Sequence, residues 1–138
     1  MGPETIDIAI VGAHLSGMPL NHELTALRAR FLRAELTAPA YRLFELPDTT
    51  PSKPGLLRVS SGGGSISLEL WTLEPAAFGR FVARVPSPLS IGTVLLAGGG
   101  QPKGFLVEAA AVERARDITA FGGWRQFREG LQSATQFS

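Results

Sequence analysis

Sixteen glycines and ten prolines interrupt this 138-residue chain at short intervals. Glycine marks turns and bulges, and proline is confined to strand edges, helix starts and loops, so the apolar material between them is cut into short pieces. That punctuation favours many short strands over long helices. The expected fold class is α+β and mostly β. No period repeats along the chain and no linker divides it, so residues 1–138 read as one domain, a size that a single core serves.

With 44% hydrophobic and 18% charged residues, the chain carries less charge than the ~25% of an average domain and has ample material for a core. Thirteen Lys and Arg against twelve Asp and Glu give a net charge of +1. That balance sets up no long-range field for nucleic acid or an anionic membrane, so any anion site must be local. The absence of cysteine excludes disulfides, thiol nucleophiles and thiolate zinc sites, and it suits a reducing compartment. Glu4 and Asp7 stand where a secretory signal needs basic residues, and no apolar stretch approaches the roughly twenty needed to span a bilayer. The expected setting is cytoplasmic.

Thr5 to Val11 is a β-branched run ending at Gly12, which predicts a first strand buried on both faces. Asn21 is placed to cap a short helix from His22 to about Arg28, with Leu24 and Leu27 as its apolar stripe. "RFLRAEL" from Arg30 and "YRLFEL" from Tyr41 alternate apolar and polar residues and predict a pair of half-buried strands. "LLRVSSGGGSISLELWTL" predicts a hairpin, and "SIGTVLLAGGGQPKGFLVEA" a second. Between them Pro75 opens a helix with Phe78, Phe81 and Val82 on its buried side. A last helical segment is expected near Ala111 to Arg116, and Phe121, Trp124 and Phe127 recur at helical spacing as a packing stripe.

The candidate chemistry lies in "VGAHLSGMPLNHEL", Val11 to Leu24, which gathers both histidines, two glycines, a serine and an asparagine. A glycine-rich turn after a strand exposes backbone N–H groups that attract carboxylate or phosphate oxygens. It is neither a Walker loop nor a dinucleotide fingerprint, since the required spacings are absent. His14 can exchange a proton near neutral pH and is the first candidate for a catalytic group; its alternative is a ring that merely bonds a neighbouring loop. His22 reads as a local helix-start residue, and the two histidines lack metal-ligand spacing, so neither metal nor cofactor is expected. Ser16 lies outside any G-x-S-x-G elbow and reads as an anion-binding hydroxyl. Tyr41, the single tyrosine, is either a deliberate donor or a strand residue with its tip in water. Lys53, Arg58 and Lys103 are cations close to glycines and, by default, solvated charges.

"VGAHLSGMPLNHEL", "TAPAYRLFEL", "KPGLLRV", "LELWTL", "FGRFVARVPSPLSIGTVLL", "KGFLVE" and "DITAFGGWRQF" follow one another in order, and with them the chain resembles the C-terminal domain of allophanate hydrolase over nearly its whole length. The resemblance implies a gamma-glutamyl cyclotransferase-like fold, a small twisted β-barrel with a few short helices. It implies that the domain breaks down N-carboxycarbamate, the product of allophanate deamination, toward ammonia and carbon dioxide. His14 is then the catalytic general acid. Gly12, Ala13, Leu15, Ser16, Gly17 and Asn21 are loop contacts to a small dicarboxylate, and Tyr41 and Lys53 are further carboxylate contacts.

Two departures qualify what the resemblance implies. The amidase half of allophanate hydrolase has no counterpart in these 138 residues, so deamination falls to another polypeptide, an amidase partner. The cyclotransferase pattern of a Glu after the helix is also absent, because "VARVPSPLSIG" holds no acid. Two alternatives remain open. One is a cyclotransferase-like enzyme acting on another small amide or dicarboxylate. The other is a non-catalytic subunit that assembles with an amidase through the aromatic stripe near Trp124. A homodimer is a further open possibility.

Overall fold

The Thr5 to Val11 run becomes β1, Ile6–Ile10, and takes the middle place in a five-stranded sheet. In the computed structural model, which describes the backbone of residues 4–137 and side chains as far as Leu131, its Ile8, Ala9 and Ile10 are fully buried. On one side it pairs antiparallel with β5, Ser67–Leu73, placing Ile8 opposite Trp71. On the other it runs parallel to β7, Lys103–Val107, with Ile8 opposite Lys103. The outer strands are β2, Arg30–Leu36, beside β5, and β6, Leu89–Thr93, beside β7. A three-stranded sheet holds β3, Tyr41–Glu45, between β4, Pro54–Arg58, and the short β8, Arg116–Asp117.

The mostly-β, few-helix class holds. The strands nevertheless do not close into a barrel. The edges of the larger sheet meet at one isolated bridge, Thr37 to Leu96, where Ala38 N donates to Leu95 O at 2.8 Å and Ala97 N to Leu36 O at 3.0 Å. A true barrel carries a continuous ladder around its circumference. Here the twisted sheet curls only until its edges touch.

Two pairing expectations are overturned. β2 and β3 both form, but in different sheets, because alternation assigns side chains to faces and leaves the choice of partner strand open. The Thr37 hydroxyl, fully buried, donates to Ala38 O and accepts Ile66 N–H at 2.9 Å, fixing the point where the chain leaves one sheet for the other. β2 is an edge strand, largely exposed, with a register shift between Phe31 and Arg33 that interrupts the ladder as bulges do at sheet edges. Nor do β4 and β5 form a hairpin: β4 pairs with β3, Leu56 opposite Leu43, while β5 lies between β1 and β2. The second expected hairpin is present as β6 with β7, Ile91 opposite Phe105.

Helix α1, Asn21–Ala26, is short, as its composition suggests, but Leu20 occupies the cap position and no side chain caps it. Asn21 instead donates to His14 O at 2.9 Å. Helix α2, Pro75–Ala83, begins at the expected proline; it buries Ala77 and Phe81, with Phe78 and Val82 only partly covered. The segment near Ala111 to Arg116 is a 3-10 turn, Ala109–Val112, followed by β8. Helix α3, Trp124–Phe137, presses Trp124 and Phe127 into the core. Phe121 precedes it on another 3-10 turn and stays 40% exposed. An aromatic docking stripe at Trp124 is thereby ruled out, because two of its three rings are core. Among the described residues no helix is long and apolar enough to cross a membrane.

Candidate active site

β1 delivers the chain to Gly12 at the point where β4 begins. A Cβ at Gly12 would stand 2.4 Å from Pro54 Cδ, so only glycine lets the two segments pass. Beyond it the loop turns back on itself: Leu15 N donates to Gly12 O at 2.9 Å, Met18 N to Leu15 O at 3.0 Å and Leu20 N to Ala13 O at 2.9 Å. Gly17 supplies the left-handed step with φ 78°. The reversal sets the first turn of α1 against the start of the loop, and the Glu23 carboxylate returns to His14.

His14 Nε2 lies 2.6 Å from Glu23 Oε1. A neutral ring beside a carboxylate carries its proton on the facing nitrogen, so Nε2–H donates and Nδ1 keeps its lone pair. Nδ1 has no hydrogen-bond partner among the described residues, and no buried side-chain nitrogen or oxygen there is left unpaired, so Nδ1 reaches solvent. The ring is stacked on Phe105, centroids 5.4 Å apart, and meets the Phe81 ring edge-on at 5.0 Å. Its side chain is only 13% exposed. Burial pushes the imidazole pKa down, the Glu23 hydrogen bond and charge push it up, and the charges of Lys53 and His22 push it down again. The net value lies below the ordinary 6.5, so the free protein holds His14 neutral at pH 7.

His14 forms part of the wall of a cavity of about 240 Å³, together with Gly12, Ala13, Glu23, Lys53, Phe81 and Arg84 among others. The backbone N–H groups of Gly12, Ala13 and His14 make no hydrogen bond among the described residues, which leaves three successive donors for a ligand. The ammonium of Lys53 and the guanidinium of Arg84 likewise have no partner among the described residues. The site therefore combines a neutral imidazole, three unspent N–H donors and two unpaired cations. Such a lining suits a small anion.

The far side of the loop is fastened from below. Glu69 of β5, almost fully buried, accepts Ser16 N–H at 2.8 Å, the Ser16 hydroxyl at 2.6 Å and Trp71 Nε1–H at 3.1 Å. Arg125 of α3 reaches the same carboxylate at 3.4 Å and also donates to Ser16 O. Burial pushes the Glu69 pKa up, but the Ser16 hydroxyl and N–H, the Trp71 indole and the Arg125 charge outweigh it and hold the group ionised.

Of the residues singled out from the sequence, Gly12, Ala13, His14 and Lys53 come together at the cavity. The others stand elsewhere. Leu15 is core, Ser16 faces Glu69, and Gly17 sits on the loop's outer turn. Asn21 is spent on the His14 carbonyl. Tyr41 is neither wet at its tip nor near the ligand side: it is fully buried, and its hydroxyl accepts Leu95 N–H at 2.9 Å. His22 is a local residue, Nδ1 3.0 Å from Pro19 O. Sequence reasoning overlooked Glu23, Phe81, Phe105 and Arg84. For Glu23 a signal existed, an acid on the first turn of the helix that follows the loop.

A family model for the allophanate hydrolase C-terminal domain matches residues 6–129. The chain belongs to that family. It is 42% identical over 132 residues to a urea amidolyase of Saccharomyces cerevisiae, a match that covers 93% of this chain and 7% of the yeast protein. The solved structure of Kluyveromyces lactis allophanate hydrolase superimposes with a TM-score of 0.88 at 39% identity, over 93% of this chain and 22% of that one. A uropathogenic Escherichia coli-specific protein superimposes at 0.85 and 32% identity, over 91% of this chain and 97% of that one. The chain thus spans a small share of the yeast relatives and nearly all of the bacterial one. A gamma-glutamyl cyclotransferase, 12% identical with a TM-score of 0.57 over 83% of this chain, shares the fold alone.

Proposed function

We propose that this chain takes part in allophanate breakdown by decarboxylating N-carboxycarbamate in the His14 cavity. The substrate carries two carboxylates on one nitrogen. In the reaction one C–N bond breaks, its electron pair stays on nitrogen, one carboxylate leaves as carbon dioxide, and the nitrogen takes up a proton. Carbamate remains and proceeds toward ammonia and carbon dioxide. His14 supplies the proton as general acid.

The observation that carries this reading is the company His14 keeps in the cavity wall: unpaired N–H donors at Gly12 and Ala13, the Lys53 charge that acts on the ring, and a second unpaired cation, Arg84, elsewhere in the lining. An empty cavity holds His14 neutral, and neutral imidazole is the wrong form for an acid. A bound dianion reverses the balance, since negative charge beside the ring favours imidazolium. The proton is taken up with the substrate and sits on Nδ1, the nitrogen left open. Glu23, on Nε2, stabilises the charged ring and fixes its direction. As carbon dioxide departs, the negative charge of that carboxylate stays behind on the nitrogen, whose basicity rises until it takes the proton from Nδ1 and leaves the ring neutral.

The test supplies N-carboxycarbamate in situ from allophanate and an allophanate-deaminating amidase and follows carbon dioxide release with and without this chain. The native chain is expected to accelerate release and His14→Ala to abolish the acceleration; unchanged release by His14→Ala rejects the assignment. The separate amidase is the partner we assign, and its co-purification with the chain tests that. Sedimentation of the chain alone tests the homodimer.

Cyclotransferase chemistry receives less support. Of the residues that wall the cavity the acid is Glu23, which is already bonded to His14, and β6 contributes none.

A further inference from the structure

Neither the family match nor the sequence patterns give Arg84 a role, yet it is one of two unpaired cations at the cavity. Lys53 reaches it from the segment before Pro54, the residue pressed against Gly12. Arg84 reaches it from a different wall. It closes α2, its N–H bonded to Phe81 O at 3.1 Å, three residues beyond the ring that packs edge-on against His14. The two cations thus belong to separate elements of the wall, and Lys53 acts on the His14 ring while Arg84 is not among the charges that do. Glu23, the acid in the same wall, is engaged by His14 and neutralises neither.

We propose that Arg84 is a specificity-determining residue that selects a dianion over a monoanion in this cavity, Lys53 and the loop N–H groups taking one carboxylate and Arg84 the other. The inference rests on the His14 cavity being the ligand site. A single carboxylate is satisfied by the Gly12, Ala13 and His14 donors with Lys53, and a guanidinium then adds only diffuse attraction. A second carboxylate a few ångströms away meets the guanidinium directly, which favours a charge-assisted and geometrically specific bond. Because the Arg84 side of the cavity is open, that bond is of surface strength rather than of buried strength.

The experiment titrates the full chain with malonate, a dicarboxylate of similar length, and with propionate, by calorimetry at low and at moderate salt. Native protein is expected to bind malonate more tightly than propionate. Arg84→Met should weaken malonate about fivefold and leave propionate within about twofold, flattening the salt dependence for malonate. Arg84→Lys should recover part of the loss, and the exposed position makes both variants foldable, with circular dichroism as the check. Equal losses for both acids, or no loss for malonate, overturn the role of Arg84 while leaving the cavity as the ligand site. A native chain that binds neither acid overturns the site itself, and the Arg84 assignment with it.

Discussion

Glu69 Oε2 accepts the hydroxyl of Ser16 at 2.6 Å across 53 positions of sequence, and this bond fastens the His14 loop to β5, an interior strand of the large sheet. The residue two places after the imidazole is thereby held by a strand buried on both faces. Arg125 closes the same knot from α3. Loop rigidity here comes from a buried carboxylate with several donors rather than from apolar packing of the loop itself.

Removing that carboxylate leaves Ser16 N–H, the Ser16 hydroxyl, the Trp71 indole and Arg125 short of an acceptor. Glu69→Ala is expected to lower stability by about 2–4 kcal/mol. Ser16→Ala, which deletes one donor and keeps the rest, should cost about 1 kcal/mol. Urea unfolding of both variants measures the difference. Equal, negligible losses would show that the knot holds nothing.

Glu23→Gln should move the His14 titration further down, because it removes the carboxylate charge that now pushes the ring's pKa upward. Two-dimensional NMR of the imidazole resonances reports this directly. Turnover of N-carboxycarbamate is expected to fall about tenfold with its alkaline limb displaced to lower pH, since the protonated ring becomes harder to populate. A variant that merely loosened the fold would lower turnover without moving the limb.

Stability should decline in two stages as pH falls. His14 is harder to protonate folded than unfolded, so its contribution is complete above the unfolded pKa near 6.5 and is lost as pH drops from there toward the lower folded value. Glu69, whose folded pKa is also depressed, contributes fully above the unfolded value near 4.5 and loses that contribution as pH falls through its own folded pKa. Denaturant midpoints between pH 7 and 3 trace both stages. His14→Gln should erase the upper one and leave the lower.

Gly12→Ala should distort the cavity at its base. The added methyl meets Pro54 Cδ at 2.4 Å, and the proline ring, held in a buried strand start, has little room to yield. Overpacking of this kind costs about 1–3 kcal/mol. Malonate affinity should fall as well, because Gly12 and Ala13 supply N–H donors and Lys53 adjoins Pro54. Calorimetry alongside thermal unfolding separates the two effects; unchanged affinity would remove the loop N–H groups from the ligand site.

Short-range patterns in the sequence carried most of the elements. The β-branched run before Gly12 told of a strand buried on both faces, Pro75 of a helix start, and the Gly-rich turn before Lys103 of the β6–β7 hairpin, because each rests on backbone chemistry confined to a few residues. The concentration of glycine and histidine after β1 marked, for the same reason, the loop whose Gly12, Ala13 and His14 border the cavity. Partnership was decided by tertiary structure. β3 pairs with β4 and β8 instead of β2, and the edges of the large sheet meet at a single bridge, because alternation sorts side chains between faces and carries no information on which distant strand lies alongside. The same limit governs the site. Glu23 meets His14 only because the loop doubles back, Tyr41 is withdrawn into the core by the Leu95 N–H, and Ser16 turns from the cavity to Glu69. Each of those outcomes is set by a hydrogen bond between segments that only folding brings into reach.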